Sequence, residues 1–245
     1  MSTPTDTRTP SQQLALMLYG LGAVKTKDHP TATVRSSGER GFLLKLHERT
    51  PDAPLSPIYL NLRTPDNPKP GPLTAEAIEL SGRVLYRRAT SALLGYDYIA
   101  GVPRAGEPFA QAFQRAAARD DRQVPILTLV KDDGEPGSGA RKVTGLAPGQ
   151  EFKPGGIVLI IDDLITQADS KLEAIAALEA AGLRVADVLV LVDRGQGGKQ
   201  ELIGRHVFLS APFTLRSLLD FYVEFGTMPE DTRDEIVVYL STSVA

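Results

Sequence analysis

The 245-residue sequence contains no cysteine, which excludes disulfide bridges, thiolate nucleophiles and thiolate-ligated metals. It has no tryptophan and only three histidines, His29, His47 and His206, which show no metal-ligand spacing and read as incidental surface or loop residues. No apolar run approaches the roughly 20 residues needed to cross a bilayer. Neither sign of charge dominates: 27 basic and 30 acidic side chains are interspersed for a net charge of −3. A nucleic-acid or anionic-membrane surface therefore has no electrostatic footprint. No G-x-G-x-x-G follows any predicted strand, which rejects a dinucleotide-binding Rossmann domain. Residues 1–10 are rich in Thr, Pro and Ser without an apolar stretch, so a disordered tail is expected there and not a signal peptide. The cytoplasm is the expected compartment.

The length suffices for a full core, and no internal repeat is evident. Ser11 to Leu21 has the spacing of an amphipathic helix opened by a Ser cap and closed at Gly20 to Gly22. Thr26 to Gly41 is polar, a loop or hairpin. Phe42–His47 and Pro57–Leu62 read as two short strands of a small hood. Thr64 to Pro72 carries four prolines and is a linker, followed by one long helix over Leu73–Leu94. Strands are then expected at Tyr98–Ala100, Val124–Val130 and Val207–Leu209, and helices at Phe109–Ala118, Thr214–Phe225 and Glu230–Leu240.

The most informative segment is Val158-Leu159-Ile160-Ile161-Asp162-Asp163-Leu164-Ile165-Thr166-Gln167-Ala168-Asp169-Ser170. An apolar β-branched run ends in two carboxylates, then small polar residues, then a helical pattern that stops at Gly182. With the second apolar run, Val188–Val192, this makes a βαβ unit whose strands are buried on both faces. In an open α/β sheet the ligand crevice lies beyond the carboxyl ends of the strands, and the amides at the start of the following helix suit a phosphate. Asp162 and Asp163 can there bind ribose hydroxyls or hold Mg²⁺ through its waters, with both side chains pointing into the crevice and carrying no core packing. A solvated acidic turn with Ser170 or Asp169 merely capping a helix fits the same residues. Between the strand at Ile99 and its helix, Gly101-Val102-Pro103-Arg104-Ala105-Gly106-Glu107-Pro108 lets backbone approach an anion, with Arg104 as a positive charge; plain punctuation is the other reading. Lys131 to Lys142, rich in glycine and charge with no apolar anchor, is expected to be mobile.

Asp162-Asp163-Leu164-Ile165-Thr166, followed by Leu191-Val192-Asp193-Arg194-Gly195-Gln196-Gly197-Gly198, resembles the type I phosphoribosyltransferases, and the second motif resembles their orotate branch. Gly20 to Lys25 and Leu44-Lys45 with Ser56 to Arg63 agree, so the likeness runs from about Leu14 to Leu219. The resemblance implies a doubly wound, mostly parallel α/β sheet flanked by helices with a small N-terminal hood. One domain would run over 11–245, with 11–63 as helix and hood strands and 64–245 as core and C-terminal helices. It implies Mg²⁺-dependent transfer of phosphoribose from phosphoribosyl pyrophosphate to orotate, in a homodimer. Asp162 and Asp163 would bind the ribose hydroxyls, and Thr166, Gln167, Ala168, Asp169 and Ser170 the 5-phosphate. Lys45, Tyr59 and Arg194 would serve the orotate side, Arg104 and Lys131 the pyrophosphate, and the glycine-rich loop would close over the neighbouring subunit's site.

Three departures accompany the likeness. Lys131 is the one clean match in the glycine-rich loop, whose Arg141-Lys142 stands at the far end; in the phosphate turn Ala168 stands where the pattern has glycine and Asp169 where it has Thr or Gly; and Gly195 replaces a Glu. They leave a non-catalytic nucleotide-binding or regulatory relative as the alternative.

Overall fold

Along one strand Val158 and Ile160 face one way and Leu159 and Ile161 the other, and all four are buried, so that strand needs cover on both faces. A computed structural model describes residues 7–48, 50–132 and 142–242. The N-terminal part holds helix α1 (Pro10–Gly20), strand β1 (Val24–Thr26), hairpin strands β2 (Thr33–Val34) and β3 (Arg40–Gly41), a 3₁₀ turn (Lys45–Glu48) and strand β4 (Ile58–Leu60). Then come α2 (Ala75–Ser91), β5 (Tyr98–Gly101), α3 (Glu107–Ala118) and the antiparallel ribbon of β6 (Leu129–Lys131) and β7 (Val143–Leu146). The rest runs β8 (Ile157–Ile165), α4 (Asp169–Ala180), β9 (Arg184–Asp193), α5 (Gly198–Ile203), β10 (Phe208–Ser210), β11 (Phe213–Thr214), α6 (Leu215–Glu224) and α7 (Glu230–Thr242).

The central sheet has the order β10-β9-β8-β5 with β11 beside β9, and every pairing is parallel. A parallel bridge from Ile99 to Ile126 continues it past β5. On one face Leu159, Ile161, Leu189 and Leu191 pack with apolar residues of α1, α2, α3 and α6. On the other, Val158, Ile160, Val188 and Val190 meet Ala174, Ile175 and Leu178 of α4 and Leu202 of α5. Each such side chain contributes about 1.5–3 kcal/mol of burial. This is the doubly wound parallel α/β arrangement, and it brings the carboxyl ends of β5, β8 and β9 side by side. In the hood, β1 pairs antiparallel with β4, setting Lys25 opposite Tyr59, and Ile58 and Leu60 share a core with Leu14 and Leu18 of α1.

Several boundaries differ from expectation, each for a physical reason. Helix α1 starts earlier because Thr9 and Gln12 form a reciprocal capping box ahead of Pro10, so the end of the expected tail is ordered. Phe42 makes a single bridge, to Ser56, and the stretch after it coils into the 3₁₀ turn instead of a strand; β4 finds its partner in β1. His47 is buried, not incidental: its Nδ1 meets the Leu44 N–H at 2.9 Å and its Nε2 lies 3.3 Å from the Pro54 carbonyl. Of the expected strand Val124–Val130, only the end belongs to β6, which turns away to pair with β7. Residues 1–6 of the expected tail and residues 133–141 of the glycine-rich loop, Arg141 included, lie outside the described residues. Among the described residues no helix is long and apolar enough to cross a membrane.

Candidate functional site

Strand β8 runs four residues past Ile161 because β9 supplies partners that far: Asp162 lies opposite Val190, Leu164 opposite Val192 and Ile165 opposite Asp193. The two carboxylates therefore sit within a strand, 3% and 7% exposed, and not in a solvated turn. Strand alternation sends Asp162 to the Ile160 face, where α4 packs. There Lys171 Nζ lies 2.5 Å from Asp162 Oδ2 and donates to the Leu164 carbonyl at 2.7 Å. Lys171 is 5% exposed, so this is a buried ion pair that ties the first turn of α4 to the strand. The expectation that both carboxylates carry no packing fails for Asp162.

Asp163 differs. Its carboxylate accepts from the Leu164 N–H at 2.7 Å, and its own N–H donates to Asp162 Oδ1 at 2.9 Å. Burial, and then the adjacent Asp162 charge, push its pKa from the usual 3.8 up to about 7, against the pull of Lys171. Lys171 and the raised pKa of Asp163 thus offset part of the negative charge of the pair, which suits an anionic ligand better than two bare carboxylates would.

After β8, Thr166 is partly buried, Gln167 and Asp169 are exposed, Ala168 is buried and Ser170 is partly buried. Ala168 is the N-cap of α4, and no side chain caps that helix, so neither Asp169 nor Ser170 acts as the cap. The turn is held from the other side. Arg194 N–H donates to the Ile165 carbonyl and Gly198 N–H to the Thr166 carbonyl, each at 3.0 Å, and Ala168 N–H donates to Glu201 Oε2 at 3.0 Å. Gly198 permits this approach, since a Cβ there would meet Ile165 Cγ1 at 2.6 Å.

The turn after β5 is built on the same principle. Val102 N–H donates to the Ile161 carbonyl at 2.9 Å, and a Cβ on Gly106 would collide with that carbonyl and with Val102. The Pro103–Arg104 peptide is cis and the Arg104 side chain is exposed. Lys131, partly buried, ends β6. Its ribbon docks on α4 through the Val143 N–H, which donates to Glu173 Oε2 at 3.1 Å.

Arg194 follows β9 and is 6% exposed, and among the described residues its Nε and Nη2 have no hydrogen-bond partner. Burial lowers its pKa, with Tyr239 and Tyr59 opposing the shift; these two phenols therefore stand near the guanidinium. Tyr59 stacks on Phe42 at 5.5 Å and accepts from Arg63 Nη1 at 3.3 Å. Gln196, 9% exposed, also has an unpartnered Oε1 among the described residues. Lys45 opens the 3₁₀ turn; its side chain lies outside the described residues. The structure thus brings Asp162, Asp163, Thr166–Ser170, the β5 turn and Arg194 to one edge of the sheet, with Tyr59 and Tyr239 beside Arg194. Lys131 sits on the neighbouring ribbon. Lys171, Gln196 and Glu201 are functional candidates that sequence reasoning passed over. Two buried polar residues, Lys171 and Gln196, lie within the quoted motifs or directly after them, and that adjacency was the available signal.

Among the described residues no three His, Asp or Glu side chains gather as a metal cage, and Asp162 is already engaged by Lys171. The pair suits a Mg²⁺ that brings most of its ligands with a phosphorylated substrate and water.

The phosphoribosyl transferase domain profile matches residues 81–209. Orotate phosphoribosyltransferase of Caenorhabditis elegans is 26% identical over 187 residues, covering 76% of this chain and 75% of that one. Its counterpart from Pyrococcus furiosus is 32% identical over 140 residues, covering 57% of this chain and 70% of that one. Among solved structures, Leishmania donovani UMP synthase superposes with a TM-score of 0.62 at 25% identity, covering 95% of this chain and 42% of that one.

Proposed function

The chain belongs to the phosphoribosyl transferase domain family, and from that premise we propose that it is an orotate phosphoribosyltransferase, forming orotidine 5-monophosphate and pyrophosphate for pyrimidine nucleotide synthesis. The observation that carries the choice of base is Arg194: a buried guanidinium at the sheet edge, two of whose nitrogens have no hydrogen-bond partner among the described residues, calls for a planar anion, and the carboxylate of orotate supplies one.

In this reading the ring nitrogen of orotate forms a bond to C1 of the ribose as the C1–oxygen bond to pyrophosphate breaks. Pyrophosphate leaves with the electron pair, and the proton of the ring nitrogen passes to the departing pyrophosphate or to solvent. The chain does little covalent work, and the rate comes from alignment and from electrostatic stabilisation of the leaving group. Asp163 and Asp162 take the ribose hydroxyls, with Asp162 fixed by Lys171. Thr166, Gln167, Ala168, Asp169 and Ser170 take the 5-phosphate. The Gly101–Gly106 turn, Arg104 and Lys131 take the pyrophosphate, and Arg194, Tyr59 and Lys45 the base. Asp162 and Asp163 would hold, through water and the phosphoribosyl substrate, a Mg²⁺ that would supply charge neutralisation.

We further propose one domain over 11–245, a cytoplasmic location, where charged phosphorylated substrates are made and retained, and a homodimer. Val34 and Leu43 of the hood, 59% and 57% exposed, support the last. A sole 26.4 kDa species in sedimentation at micromolar concentration would argue against it. The deciding experiment incubates the protein with phosphoribosyl pyrophosphate, Mg²⁺ and a panel of pyrimidine and purine bases. Orotate consumption with pyrophosphate release is the expected result. Binding of phosphoribosyl pyrophosphate without turnover of any base would instead establish the non-catalytic relative.

A further inference from the structure

The phosphate turn is closed against α5 by two hydrogen bonds of different character. Gly198 N–H meets a neutral carbonyl, that of Thr166, but Ala168 N–H meets the carboxylate of Glu201, both at 3.0 Å. That amide belongs to the N-cap residue of the 12-residue helix α4, at the positive end of the helix dipole, where an anion is favoured. The local backbone is shaped for the contact. Gly197 takes a left-handed conformation, φ 100°, and Gly198 packs against Ile165 where no side chain fits. The first turn of α5 therefore lies on the phosphate turn, within reach of Glu201. The carboxylate is partly buried.

We infer that Glu201 is a resident anion of the phosphate turn, one that the substrate's 5-phosphate must displace. The inference rests on the assignment of Thr166–Ser170 to the 5-phosphate. Two anions cannot share the Ala168 amide, and at such separation their repulsion opposes binding. Glu201 thereby holds the empty turn in its binding shape and sets a limit on affinity. Because α5 follows directly on Arg194, Gly195 and Gln196, its release on phosphate binding is transmitted to the base-binding side of the site.

The test is calorimetric titration of wild type, Glu201→Gln and Glu201→Ala with phosphoribosyl pyrophosphate and separately with inorganic phosphate, with the Ala168 amide resonance followed in each. Gln keeps an acceptor without the charge, and Ala frees the amide. Both variants should bind each ligand about tenfold more tightly than wild type, a change of about 1.4 kcal/mol. The Ala168 resonance should move on substitution and, in wild type, on phosphate addition. If Gln binds like wild type and Ala binds more weakly, Glu201 is a structural clamp and the inference falls. If wild type binds phosphoribosyl pyrophosphate with the Ala168 resonance unmoved, the inference falls while the functional reading stands. Failure of all three proteins to bind, each folded by its thermal transition, removes both.

Discussion

The same substitution at two adjacent residues should change stability in opposite directions. Asp162→Asn keeps an amide oxygen beside Lys171 but removes the carboxylate charge that pairs with it, and breaking one half of a buried pair costs up to about 3–5 kcal/mol. Asp163→Asn removes a carboxyl that the fold holds at a cost. Its pKa in the folded protein is about 7 against an ordinary 3.8, so between those values the folded state binds more protons than the unfolded chain. Stability from this group is therefore intact at acid pH and lost as pH rises from about 4 to about 7. At about 1.4 kcal/mol per pH unit the loss is at most about 4 kcal/mol.

Urea denaturation of the ligand-free proteins at pH 5 and pH 8, with a chelator present, measures this. Asp163→Asn should be more stable than wild type at pH 8, by about 1–3 kcal/mol, and close to it at pH 5. Asp162→Asn should be less stable at both. A destabilised Asp163→Asn at pH 8, or two variants that move together, would refute the division of labour between a pinned carboxylate and a strained one. If the division holds, Asp163→Asn is also the clean probe of ribose binding, since its loss of phosphoribosyl pyrophosphate affinity cannot be ascribed to unfolding.

Arg194→Met should keep or slightly raise the melting temperature, because it removes a buried, partly unpaired guanidinium, and should weaken orotate by about 2–5 kcal/mol with phosphoribosyl pyrophosphate binding intact; Arg194→Lys should not restore orotate use, as steady-state kinetics would show. Gly198→Ala forces a Cβ into Ile165 and the Thr166 carbonyl, so it should lower phosphoribosyl pyrophosphate affinity in calorimetry more than Gly95→Ala, where a Cβ meets nothing and no left-handed φ opposes it. Asp169→Thr should cost only about 0.3–1 kcal/mol of stability, through the helix dipole, and leave affinity unchanged, since the Asp169 side chain is exposed at the first position of α4; tighter binding in calorimetry would place that carboxylate inside the site instead.

The βαβ unit was legible because strands covered on both faces must be apolar throughout, and Val158–Ile161 and Val188–Val192 are. Gly182 at φ 82° ended α4 where a left-handed residue was needed. The polar tail of β8 was not legible: Asp162 and Asp163 look like a turn in isolation, and only the length of β9 keeps them in register. The hood misled for the same reason. Strands of two or three residues draw their stability from distant partners, as β1 does from β4, and local propensity carries no record of that. Lys171 and Glu201 escaped notice because a charged residue in the first turn of a helix ordinarily faces water; both instead reach back to the sheet edge.

These two residues alter how the departures in the phosphate turn should be weighed. A turn without the glycine and hydroxyl residues that the resemblance leads one to expect would hold its shape poorly, because Ala168 offers no side-chain hydrogen bond of its own. Here the shape is supplied from outside the turn. Lys171 fastens its helix end to Asp162 and the Leu164 carbonyl, and Glu201 and Gly198 fasten its middle to α5. The amides proposed to bind the phosphate are thus organised by the cation of Lys171 and the carboxylate of Glu201. The cation favours a phosphate electrostatically and the carboxylate opposes it, so the departures change the strength of the site more than its geometry.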